Sequence, residues 1–212
     1  MHHIKLLFLF LVSSVATPVV AQQNIRQVDF KNFTYPLSGH LLGHDSLEWL
    51  DTRVHTAPKG RTIRLVDGSD LTKTSSFVMD GKQYGQYEGF KFESVKYADL
   101  TEDGNDEATI VLRYYSGGTQ TTNYVYIYAL EEHGPKLLAY CHTGNRSDSG
   151  LYDVYARNGF LVFELLDPAR ASGECCSSGV LISHYKWQQG IFKLAGPIQR
   201  RSLPPPKEYP IN

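Results

Sequence analysis

From Arg61 onward the chain alternates apolar and polar positions with a period of two, the pattern of half-buried strands. "RTIRLV" runs into Asp67-Gly68 and "SSFVM" into Asp80-Gly81, dipeptides suited to tight hairpin turns. In "FKFESVKYA", Phe90 and Phe92 are followed by Val95 and Tyr97, a slip at Ser94 that predicts a β-bulge. "ATIVLRYY" is the next strand. "NYVYIYAL" sets Tyr124, Tyr126 and Tyr128 on one face and Val125, Ile127 and Ala129 on the other. "KLLAYC" returns after the "EEHGP" turn. Two more hairpins turn at Asn158-Gly159 and Gln189-Gly190, the former a type I′ signal because both residues tolerate positive φ. Successive hairpins predict an all-β fold: an antiparallel meander, sandwich-like or partial propeller-like, with very little helix. "GHDSLEWLDTRV" (43–54) is the helical candidate, capped by Asp45 or Ser46.

The two ends depart from this pattern. "MHHIKLLFLFLVSSVATPVVAQQ" has a short basic start, an apolar run reaching Val12 and a small-residue close, which predict a secretory signal over residues 1–21. The run is too short to cross a bilayer, which takes about 20 apolar residues, so no transmembrane segment is expected. Residues 22–200 then form a single all-β domain, and 201–212 a Pro-rich, extended tail. The expected location is periplasmic or extracellular.

Composition agrees with sheets: 14 Tyr and 10 Phe stand against 2 Met. The tyrosine face of "NYVYIYAL" is expected to pack under another layer rather than to stack on sugar rings. Net charge is −1, and losing Lys5 with the leader makes it −2, so nothing favours nucleic acid as a partner. Three cysteines remain, Cys141, Cys175 and Cys176. In an oxidising compartment a bridge from Cys141 to one of the adjacent pair is expected.

The densest chemistry is in "YADLTEDGNDEATIVLRYY", where Asp99, Glu102, Asp103, Asp106 and Glu107 fall within nine positions. Counted from Asp99, side-chain oxygens occupy positions one, three and five (Asp99, Thr101, Asp103). Gly104 is at six, the Asn105 carbonyl at seven and Glu107 at nine. Calcium takes six to eight such oxygens and needs a glycine where the loop folds sharply. Position twelve is Ile110 where an EF-hand has a bidentate Glu, and the flanks read as strands, so this is not an EF-hand. The alternative is an ordinary solvated acidic hairpin turning at Asp103-Gly104.

Those residues resemble the strand–loop–strand calcium motif of FG-GAP and VCBS-type β-propeller repeats, D-x-[ND]-x-D-G-x-x-[DE], with Thr101 in place of Asn or Asp. The resemblance covers about 20 residues and occurs once, whereas a propeller repeats its blade at least four times. It implies a local calcium site at Asp99, Thr101, Asp103, Asn105 and Glu107.

Other constellations carry less. His40 and His44 have H-x-x-x-H spacing, but Leu41 stands where a zinc peptidase has its Glu. No G-x-S-x-G elbow is present. The sequence therefore predicts an exported, non-catalytic binding or structural domain with a calcium-stiffened loop and an unidentified protein or glycan ligand. A secreted hydrolase of glycan or peptide is the alternative.

Overall fold

A computed structural model describes residues 24–37, 62–118, 121–145, 149–172 and 176–204. The signal segment, His40, His44, the helical candidate at 43–54, Cys175 and the tail beyond 204 lie outside the described residues.

Among the described residues strand dominates, no helix reaches seven residues and no barrel closes, so the fold is all-β and sandwich-like. The central sheet is a meander of β3 (Thr72–Met79), β4 (Lys82–Ala98), β5 (Glu107–Ser116), β6 (Thr121–Glu131) and β7 (Gly134–His142), paired in chain order. The turns close as their sequences require: Asp80 and Gly81 both have positive φ. The slip at Ser94 is a register shift of β4 against β5 between Phe92 and Ser94. It lets Phe90 and Phe92, then Val95 and Tyr97, all address one face.

A second sheet holds β8 (Leu151–Arg157), β9 (Phe160–Leu166) and β12 (Gly179–Gln188), with β13 (Ile191–Leu194) and β14 (Gln199–Ser202) sharing the other edge of β12. The short strands β10 (Ala171–Ser172) and β11 (Cys176–Ser177) pair in the connection from β9 to β12. The first residues supply a third layer. Two 3₁₀ turns, Ile25–Gln27 and Phe30–Asn32, lead into β1 (Thr34–Pro36), which pairs with β2 (Thr62–Arg64).

Period two makes the central sheet two-sided. One face presents Phe90, Ala108, Ile110, Leu112, Tyr126, Tyr128 and Tyr140 to Ile25, Phe30, Tyr35 and Leu65 of the N-terminal layer. The other presents Val111, Val125, Ile127 and Cys141 to Val154, Leu161, Phe163, Leu165, Tyr185 and Phe192 of the second sheet. β5 is accordingly buried from Glu107 to Leu112, the continuous run of a strand covered on both faces. The tyrosine face packs as expected: Tyr126 lies 5.0 Å from Tyr35, ring to ring, and its hydroxyl donates to the Pro36 carbonyl at 3.0 Å. Burial raises the Tyr126 and Tyr128 hydroxyl pKa values well above the ordinary phenol range, and pushes Tyr124 up to about 12.

Cys141 is a free thiol, 1% exposed, with its side chain between the central and second sheets. Cys175 and the side chain of Cys176, the partners expected for it, lie outside the described residues. Cys141 itself lies mid-strand opposite Val125, and the pleat turns it into the apolar interior. Burial raises its pKa, which suppresses thiolate chemistry.

Candidate functional site: the acidic loop

The loop joining β4 to β5 leaves the central sheet at Ala98 and returns at Glu107. Leu100 anchors it, inserted into the core between the two sheets. Around that anchor the carboxylates cap the loop's own backbone. Glu107, 1% exposed, accepts from the Leu100 amide at 2.6 Å, the Thr101 amide at 3.0 Å and the Thr101 hydroxyl at 3.1 Å. Asp99 accepts from the amides of Asp103 at 3.2 Å and Gly104 at 3.0 Å. Asp103 accepts from the Asn105 amide at 2.8 Å and its side-chain nitrogen at 3.2 Å. A strand-to-strand loop has amides that no ladder satisfies, and these acceptors satisfy them.

The five carboxylates divide by their partners. Asp106 is held by Arg26 of the N-terminal layer, at 2.8 Å from Nε and 2.7 Å from a terminal nitrogen. Glu102 is paired with Lys186 of β12, whose ammonium also reaches the Gly159 carbonyl at 3.4 Å. The loop therefore links all three layers by charge. Asp99, Asp103 and Glu107 have no cationic partner among the described residues. Desolvation raises the Glu107 pKa against the lowering effect of its three hydrogen bonds, and the nearby Asp103 charge raises it further.

Of the residues the sequence nominates, Asp99, Thr101, Asp103, Asn105 and Glu107 are thus brought into one hydrogen-bonded turn. Among the described residues, no three His, Cys, Asp or Glu side chains converge closely enough to hold an ion as arranged. The sequence reading missed Arg26 and Lys186, which come from positions 80 residues before and 84 residues after their partners. No spacing in the sequence announces them; opposite charge alone was the available signal.

A separate polar cleft of ≈ 140 Å³ opens where the central sheet meets the start of β8, lined by Arg113, Thr121, Asn123, Asn145 and Leu151 among others. Its described lining has no carboxylate, imidazole or thiol. No protein-family model, no curated protein and no solved structure matches the chain.

Proposed function

We propose that the protein is an exported, non-catalytic binding or structural domain whose β4–β5 loop is stiffened by one calcium ion. One observation carries the reading. The acids outside the ligand pattern, Glu102 and Asp106, are neutralised by Lys186 and Arg26, whereas those inside it, Asp99, Asp103 and Glu107, have no cationic partner among the described residues. The Asp103 charge adds to the cost of ionising the buried Glu107, and a divalent cation among these carboxylates removes that cost. Uptake would draw Asp99 and Asp103 toward Glu107, whose Oε1 and Oε2 keep lone pairs for the ion while still accepting from the Leu100 and Thr101 amides, with Thr101 and the Asn105 carbonyl completing the oxygen set. The ion's role here is mechanical: it ties a loop that already joins three layers.

The hydrolase alternative gains nothing from the polar cleft, whose described lining carries no carboxylate, imidazole or thiol to activate the Thr121 hydroxyl or a water. Calorimetric titration with calcium tests the proposal. The wild type should bind one ion with a Kd of about 10⁻⁴ M, the extracellular range. Asp99→Ala and Asp103→Ala should abolish the heat while leaving the sheet's far-UV signature intact. A wild type that shows no binding heat and no calcium-dependent change by any other probe rejects it.

A further inference from the structure

We propose that the β3–β4 hairpin is a self-association arm, pairing the free edge of β3 with β3 of a second copy of this chain. The proposal is independent of the calcium reading.

The arm stands out from the sheet. β5 stops pairing with β4 at Glu88, opposite Ser116, so Lys82–Tyr87 have β3 as their pairing strand. Among the described residues, β3 in turn pairs with β4 alone. Every residue of β3 is exposed, including Phe77 at 45%, Val78 at 71% and Met79 at 53%, and Tyr84 and Tyr87 on β4 are exposed too. A two-stranded ribbon is marginal in water by itself, and an apolar edge without blocking charge is the template that folded proteins usually avoid. β3 carries one charge, Lys73, and no proline.

The register favours a second copy over an unrelated strand. The two-residue Asp80-Gly81 turn closes on Met79 and Lys82 as a hydrogen-bonded pair. Alternation then points the backbone groups of Phe77 toward β4 and those of Ser76 and Val78 toward the open edge. An antiparallel copy bonded through Ser76 and Val78 centres its two-fold axis on Phe77. The two Phe77 residues then face each other as a non-hydrogen-bonded pair, the closer of the two kinds. Phe77 already stacks on Tyr84, with centroids 5.5 Å apart, so pairing builds a row Tyr84–Phe77–Phe77–Tyr84 across four strands. The same register sets Lys73 of each copy opposite Gly81 of the other, one position from Asp80. A foreign strand does not offer the two-fold aromatic match by construction.

Sedimentation velocity of the purified protein from about 1 to about 500 µM is the first test, because mass action makes self-association concentration-dependent. A monomer–dimer equilibrium is expected. Val78→Pro removes an outward-facing N–H and leaves the β3–β4 ladder intact, so it should raise the dimer Kd at least about tenfold with an unchanged melting point. Register is read by cross-linking under oxidised glutathione. Phe77→Cys should form an intermolecular disulfide, since facing non-hydrogen-bonded positions satisfy disulfide distances, while Thr72→Cys should not. A wild type that stays monomeric throughout, a Val78→Pro dimer of unchanged affinity, or equal cross-linking at both positions overturns the proposal. Capture of an added foreign strand by a monomer would show a different occupant and also overturn it.

Discussion

Glu107 shows what a single residue does in this loop. Its carboxylate is the acceptor for the Leu100 and Thr101 amides, so removing it strands two N–H groups beside the core. At about 1–3 kcal/mol for each unsatisfied donor, Glu107→Ala should cost about 2–6 kcal/mol in urea unfolding. Glu107→Gln keeps an acceptor oxygen and should cost far less. The pH dependence has a definite sign. The folded pKa lies above the unfolded one, so on acidification the native state binds this proton first. Relative to Glu107→Gln, the wild type should therefore gain stability as pH falls through the folded pKa toward the ordinary carboxylate value, and level off below it. Urea midpoints of the pair between pH 4 and 7 would reveal the opposite slope if the assignment were wrong. Cys141 gives a second check: with its thiol buried and its pKa raised, it should react with a disulfide reagent when the protein is unfolded and stay unreactive in the native state.

At the scale of elements, most strands were legible because period-two patterning and turn chemistry agree. Asp67-Gly68, Asp80-Gly81, Asn158-Gly159 and Gln189-Gly190 all adopt positive φ at both positions. The N-terminal layer was not legible. "FKNFTYP" has aromatic residues without a sustained period, and its place is set by long-range ring packing of Phe30, Phe33 and Tyr35 on Tyr126 and Tyr128. Which pairs of loop carboxylates take a cation was equally invisible, because Arg26 and Lys186 arrive from other layers. Gly159 marks one such meeting: at φ 72, a Cβ placed there would lie 2.7 Å from Glu102 Oε1 and 2.9 Å from Lys186 Nζ. Gly159→Ala should destabilise by about 1–2 kcal/mol from the left-handed backbone alone, and further by displacing the ion pair. The second part should vanish in a Glu102→Ala background, which a double-mutant cycle measures.

For the whole molecule, the central sheet is buried on both faces and the acidic loop is the place where charge ties its two coverings together. Lys96 of β4 adds a parallel link, reaching Asp153 at 2.6 Å and the Val154 carbonyl at 2.8 Å on β8. Anything that tightens the loop should therefore stabilise the entire assembly of layers rather than one hairpin. Thermal unfolding in about 1 mM calcium, in the same concentration of magnesium and in chelator tests that most directly. With Kd of about 10⁻⁴ M, calcium should add about 1.4 kcal/mol, a rise in Tm of about 3–6 °C for a domain of this size. Magnesium should give less, and Asp103→Ala should lose the effect. A wild-type melting temperature identical in calcium and in chelator would contradict the account.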